Sequence, residues 1–225
     1  NLSRVSGESV GTYVVSQGTV ANSNYNITYV AANFTITTRP ITVAADAQSK
    51  QYGDSDPSLT WSVTTGSLVG SDTLSGSLTR ASGDDAGTYA ITRGTLANSN
   101  YAITFVNGTL TVSTKPITVT ADAKTKIYGE SDPTFSYSVT SGSLVGSDTL
   151  SGALSRVSGT AVGTYATTIG TLANSNYAIT LIPANLTITA KPITVTADDK
   201  TITYGDAEPT LTYSTPAGSL VGADT

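Results

Sequence analysis

From Lys115 to Ala121 the chain reads Lys-Pro-Ile-Thr-Val-Thr-Ala, with Ile117 and Val119 alternating with Thr118 and Thr120. Apolar and polar side chains in strict alternation mark a β-strand with one buried face. The outward positions carry Thr, whose β-branched polar side chain suits a solvated strand surface. The first five residues return as Arg39-Pro40-Ile41-Thr42-Val43, with Arg for Lys, and unchanged as Lys191-Pro192-Ile193-Thr194-Val195. The prolines stand 76 residues apart in both steps, 40 to 116 and 116 to 192. The strand therefore belongs to a repeat, and the repeat governs every later reading.

Other landmarks keep the same step. Tyr52-Gly53 recurs as Tyr128-Gly129 and Tyr204-Gly205, and Gly11-Thr12-Tyr13 recurs as Gly87-Thr88-Tyr89 and Gly163-Thr164-Tyr165. Asn22-Ser23-Asn24-Tyr25 recurs at residues 98–101 and 174–177. Near-identity of copies records duplication as readily as constraint, so an invariant residue is not thereby functional. It does establish redundancy: a single active site is rarely reproduced in every unit of an array, whereas a spacer or a multivalent binder is.

Period two extends beyond the Lys-Pro strand. Tyr101, Ile103 and Phe105 alternate with Ala102 and Thr104, and Leu110 and Val112 with Thr111 and Ser113. Leu59, Trp61 and Val63 correspond to Phe135, Tyr137 and Val139, which places a large aromatic residue on a buried strand face. No segment sustains a 3.6-residue period, and at most a turn of helix is expected at residues 144–150. Tyr52-Gly53-Asp54-Ser55-Asp56-Pro57, Asn98-Ser99-Asn100 and Val106-Asn107-Gly108 carry turn chemistry. Asp85-Ala86-Gly87-Thr88-Tyr89 has the spacing of a tyrosine corner, although Ser9 and Ala161 replace Asp85 in the other copies. The expected fold is mainly β, a tandem of small antiparallel, immunoglobulin-like β-sandwiches of six or seven strands in an elongated array.

Two frames divide the chain. Pro116 cannot donate to a strand ladder, so a break at Thr114-Lys115-Pro116 is expected to act as a short linker. This gives whole repeats at 39–114 and 115–190, flanked by partial repeats at 1–38 and 191–225. A boundary in the Gly/Ser-rich stretch 142–152 gives instead 1–73, 74–149 and 150–225. The two end pieces of the first frame, 38 and 35 residues long, together make nearly one repeat, so they could also complete each other between molecules. Units this small, without disulfides, have marginal cores.

Composition narrows the function. There are 16 acidic and 11 basic residues, a net charge of −5, so no nucleic-acid partner is expected. The sequence has no Cys, His or Met and one Trp. That removes the usual transition-metal ligands and the Ser-His-Asp and Cys-His nucleophilic systems. No catalytic, cofactor-binding or metal-ligating residues are assigned, no cofactor is expected, and the chain is read as no enzyme. No apolar run approaches the roughly 20 residues of a membrane-spanning helix, so no membrane insertion is expected, and any export signal is expected outside these residues.

With the Lys-Pro-Ile-Thr-Val opening, Tyr-Gly-Asp/Glu-x-x-Pro, Gly-Thr-Tyr, and Asn-Tyr-x-Ile-Thr before Leu-Thr-Ile/Val, the repeat resembles the MBG domain of the YGX type. The likeness covers essentially the whole chain and places the boundary before Lys-Pro. It implies repeats of a very large bacterial cell-surface or secreted adhesin, such as filamentous-haemagglutinin-like exoproteins. Related mucus-binding modules have a β-grasp fold, which is the structural alternative. The resemblance carries no catalytic residues. A stalk that projects a distal adhesive domain is the leading expectation, with neighbouring repeats as partners. A multivalent glycan- or mucin-binding module is the alternative.

Three groups of side chains have sharper readings. Asp122, Glu130 and Asp132, with counterparts Asp46, Asp54 and Asp56 and Asp198, Asp206 and Glu208, suggest a calcium site, but no EF-hand spacing accompanies them. Turn capping is the plainer reading, and the fold is expected not to depend on calcium. Tyr89, Tyr101 and Tyr137 fall in phase with the core, while Tyr52, Tyr128 and Tyr204 sit beside a turn and are the better candidates for stacking on sugars. Rows of outward Thr, as at Thr118 and Thr120, read as ordinary solvated strand rather than an ice-binding face.

Overall fold

The computed structural model describes residues 1–225. The chain forms two compact units, Asn1–Thr114 and Lys115–Thr225.

The first unit holds β1 (Ser3–Arg4), β2 (Gly11–Ser16), β3 (Ala32–Ile36), β4 (Arg39–Ala45), β5 (Gln48–Gln51), β6 (Trp61–Thr65), β7 (Thr79–Arg80), β8 (Gly87–Thr92), β9 (Tyr101–Val106) and β10 (Gly108–Ser113). β4 to β10 build a three-stranded sheet, β6-β4-β9, and a four-stranded sheet, β5-β10-β8-β7. Ile41 and Val43 of the first sheet and Ile91, Leu110 and Val112 of the second bury their side chains in one core, closed by Leu78, Leu96 and Tyr101. A fully buried side chain such as Leu110 contributes about 1.5–3 kcal/mol relative to its exposed state. Ahead of this sandwich, β1, β2 and β3 form a separate antiparallel sheet, and residues 25–30, the counterpart of β9, form no strand.

The second unit repeats the plan: β11 (Lys115–Ala121), β12 (Lys124–Ile127), β13 (Tyr137–Ser141), β14 (Ser155–Arg156), β15 (Gly163–Thr168), β16 (Tyr177–Ile182) and β17 (Asn185–Thr189). They form sheets β13-β11-β16 and β12-β17-β15-β14. Residues 191–225 contribute only the short pair β18 (Thr196–Ala197) and β19 (Tyr213–Ser214).

All regular structure is β, as expected. The sheets, however, are mixed rather than antiparallel: β4 runs parallel to β9 and β5 parallel to β10, as β11 does to β16 and β12 to β17. The cause lies in the corners. β4 and β5, joined by Asp46-Ala47, pass from one sheet to the other, and so do β9 and β10, joined by Asn107. Two ribbons crossing in the same direction pair side by side in parallel. Local turn chemistry specifies each crossing but not its partner. Residues 144–150 form a turn closed by Asp148 N–H to the Val145 carbonyl (3.0 Å), and no helix packs on either sheet as a β-grasp fold requires.

The proline is also not a strand break. Lys115 N–H donates to the Asn176 carbonyl (2.9 Å), and Pro116 lies opposite Ala178 in the β11–β16 ladder. β11 meets its other neighbour, β13, only from Thr118 onward, so the missing donor falls where just one side of the strand is paired. Between β10 and β11 only Thr114 lies outside a strand.

Candidate functional surface at the repeat junctions

The acidic residues do not converge. Asp132 takes a bidentate grip from Arg156 (Nε to Oδ2 2.6 Å, Nη2 to Oδ1 3.1 Å) and an ion pair from Lys126 (2.7 Å). Asp56 is held in the same way by Arg80 and Lys50. The hydrogen bonds from Arg156 and then from Lys126 lower the Asp132 carboxyl to about 2. Asp56, held first by Arg80 and then by Lys50, is likewise lowered to about 2. A calcium ion at either carboxylate would have to displace two cations whose own side chains are mostly buried. Asp122 accepts from Ser136 Oγ (2.6 Å), and Glu130 accepts from the Ile127 N–H (3.0 Å), closing the Tyr-Gly turn. Each carboxylate thus has its own structural task.

The same arginines build a second feature. Arg156 Nη1 donates to the carbonyls of Val157 (2.9 Å) and Gly159 (2.7 Å), and its guanidinium lies 5.1 Å from the Tyr165 ring centre. Tyr165 donates to the Ala161 carbonyl (2.8 Å), Tyr89 to Asp85 (2.8 Å) and Tyr13 to Ser9 (2.7 Å). All three copies therefore form the tyrosine corner. The acceptor is a backbone carbonyl, which is why Asp, Ser and Ala serve equally at that position. The ring rests directly on Gly159, where a Cβ would collide with Tyr165 Cε1.

The remaining surface of interest lies where one repeat meets the next within each unit. In residues 115–225, Val221 sits on Gly129, whose φ of +87° already favours glycine and where a Cβ would come 2.5 Å from Val221 Cγ2. Beside it, a hydrogen bond to Asp224, reinforced by that carboxylate's charge, holds the Tyr128 hydroxyl above its ordinary range. A cleft of about 610 Å³ runs along this contact, lined by Tyr128, Val162, Lys191, Ile193, Leu220 and Asp224. In residues 1–114 the junction is seen from its other side. Val10 N–H donates to Asn100 Oδ1 (2.9 Å), and a groove of about 250 Å³ is lined by Glu8, Val10, Arg39, Val69, Asp72 and Tyr101. Tyr101, buried, accepts from the Val69 N–H (2.8 Å) and donates to Asp72 (2.6 Å), locking the loop that forms the groove wall. Val69 and Asp72 are the counterparts of Val221 and Asp224, two repeats earlier.

Tyr128, expected as a sugar platform, is thus engaged by the next repeat, while Tyr204 is fully exposed. Tyr89 is half-buried against the core, as its phase indicated, and Tyr137 is half-buried. Val221 and Asp224 are not singled out by sequence, and Asn100 is read there only as part of a turn. Their periodicity was visible, but nothing local distinguishes a loop Asp that reaches a neighbouring repeat from one that caps its own turn.

The fold and its junctions define a class: tandem two-sheet β repeats whose shared surfaces are built from residues recurring at the repeat period. The family model of the MBG domain (YGX type) matches residues 1–35, 41–111, 117–187 and 193–225, and the chain belongs to that family. No curated protein matches the chain.

Proposed function

We propose that these repeats are the structural stalk of a bacterial cell-surface or secreted adhesin, a spacer that projects a distal adhesive domain and has no catalytic role. The observation that carries this reading is the junction. Tyr128, Gly129, Val221 and Asp224 recur at fixed steps along the array and are spent on holding one repeat to the next. In this reading 39–114 and 115–190 are the folding units, and the partners of each repeat are its neighbours.

Small-angle scattering of dilute protein tests the stalk. Three repeats' worth of chain joined end to end, at roughly 33 Å each, extends for roughly 100 Å and gives a radius of gyration of about 30 Å. A compact globule of this length gives about 17 Å, and that result defeats the proposal. The second reading, a multivalent glycan- or mucin-binding module, is favoured by the cleft beside Tyr128, which combines an aromatic ring with Lys191 and Asp224. A glycan-array hit that Lys191→Ala abolishes would establish it over the spacer.

A further inference from the structure

The sheet edges of a complete repeat are not equally guarded. In the sheet β5-β10-β8-β7, Asp56 ties both edge strands, meeting Lys50 of β5 at 2.7 Å and Arg80 of β7 at 2.6 Å. Charge on an edge strand discourages the approach of another strand. In the sheet β6-β4-β9, β6 is bulged, the register shifting where Thr42 and Val43 of β4 face it. β9, at the opposite edge, has neither device. It reads Tyr-Ala-Ile-Thr-Phe-Val, 6 residues without charge, proline or glycine, and its ladder to β4 is regular. β16 in the next repeat reads Tyr-Ala-Ile-Thr-Leu-Ile and pairs just as regularly with β11.

The open side of β9 presents backbone groups in a fixed pattern. Arg39 N–H donates to the Asn100 carbonyl (2.9 Å), and along a parallel ladder alternate residues turn their N–H and C=O to the neighbouring strand. Ala102 and Thr104 therefore bond to β4, while Ile103 and Phe105 direct their backbone groups away from it. The bond from Lys115 N–H to the Asn176 carbonyl sets the same phase in β16, so Ile179 and Leu181 face outward. Such groups are a template for another strand. The side chains agree. Ile103 and Phe105 pack against the core yet are only half-buried, whereas Ile41 and Val43 on the adjacent strand are 3 % and 0 % exposed. On the outer face, Val106 and Ile182 are 50 % and 49 % exposed.

The strand is also complementary to itself. Turned antiparallel about Thr104, it sets Ile103 opposite Phe105, Thr104 opposite Thr104, and Ala102 opposite Val106 of a second copy. An aromatic residue against a β-branched one, and Thr against Thr, are favourable cross-strand pairs. The small Ala102 leaves room for the exposed Val106. In this register Ile103 and Phe105 exchange N–H and C=O bonds across the interface. β16 gives the same match, with Ile179 opposite Leu181, Thr180 opposite Thr180, and Ala178 opposite Ile182. Because neither edge carries a charge, like copies meet without repulsion, and a charged foreign peptide finds no counter-charge there.

We infer that β9 and β16 are association edges through which two copies of this chain pair strand to strand, antiparallel about Thr104 or Thr180, continuing one sheet across both molecules. The contact is isologous, the same edge serving on each side.

Sedimentation of the 225-residue chain across a concentration series tests this. The wild type gains mass with concentration. Thr104 and Thr180 are exposed, so changing them spares the core. Thr104→Lys with Thr180→Lys sets ammonium groups directly opposite each other, and Thr104→Glu with Thr180→Glu does the same with carboxylates. Each pair of changes weakens association by about tenfold or more, since like charges forced together oppose docking. In an equimolar mixture of the two variants Lys meets Glu, and the wild-type behaviour returns. Thr88→Lys with Thr164→Lys adds the same charge at exposed positions of the other sheet and leaves association unchanged. Circular dichroism and melting confirm that every variant keeps the wild-type fold. A wild type that stays monomeric overturns the inference, and if it instead binds an unrelated extended peptide that the Lys variant releases, the edge serves a foreign strand. Edge variants that associate as the wild type does also overturn it, as does a mixture that fails to recover or a Thr88 and Thr164 control that weakens association equally.

Discussion

Residues 115–121 and 191–197 have the same seven-residue sequence, Lys-Pro-Ile-Thr-Val-Thr-Ala. In the first position it forms β11, the central strand of a sheet, with Ile117, Val119 and Ala121 buried. In the second only Thr196 and Ala197 pair, and Ile193 and Val195 face solvent. Intrinsic propensity and binary pattern are identical, so neither accounts for the difference. What differs is the company. β11 lies between β16 and β13, in a repeat whose other sheet buries Leu186 and Ile188, whereas residues 191–197 pair only through Thr196 and Ala197, with Ser214 and Tyr213. A strand of this sequence is a half-buried surface waiting for partners, which is what β-propensity measures.

The largest expected contrast is in the core. Ile117→Ala should destabilise the second unit by about 2–5 kcal/mol, as buried large-to-small changes do. Ile193→Ala in dilute solution should stay within about 0.5 kcal/mol. Urea unfolding of the pair measures both, and equal losses would mean that residues 191–197 are seated after all. Amide exchange should agree, with residues 117–121 protected and residues 193–195 not.

The Tyr-Gly turns give a smaller contrast. Gly129 and Gly205 share a positive φ, but Val221 covers Gly129 and nothing lies within 4 Å of a Cβ at Gly205. Gly129→Ala should cost about 1–3 kcal/mol through backbone strain and the clash with Val221. Gly205→Ala should leave the main thermal transition where it is. If both shift it alike, strain alone is at work and the Val221 contact is weak.

The smallest effect is in acid. Asp132 is held at about 2 when folded, below the roughly 3.9 of an unfolded Asp. Its contribution is therefore present above about pH 4 and fades as the pH falls toward about 2. Melting temperature should be flat from about pH 7 to about pH 5 and decline below about pH 4. Asp132→Asn should lower the plateau and flatten the decline. An unchanged acid slope in the variant would assign the decline to other carboxylates.

Much of this was legible in sequence for a local reason. The alternation in 117–121, the turns at 52–57 and 98–100 and the 76-residue step are properties of neighbouring residues, and all reappear in the structure. The parallel pairing of β11 with β16 was not, because it joins strands far apart in sequence whose turns say nothing of each other. Asp132 was visible as an acid near a turn, but Arg156, which holds it, is 24 residues away. The tyrosine corner was under-read for the opposite reason. The side chain at 85 and 161 varies, while the group that matters there is a carbonyl every residue possesses.

The parallel pairings have a mechanical consequence. β11 and β12 lead in from the N-terminal end of residues 115–189, and β16 and β17, beside them and running the same way, lead out to the C-terminal end. Tension applied at those two ends drags each pair lengthwise in opposite senses. The rungs of both ladders then bear the load together, in shear, instead of opening one after another as in a hairpin peeled from its tip. A repeat wired in this way resists being pulled along its chain far better than its small core would suggest.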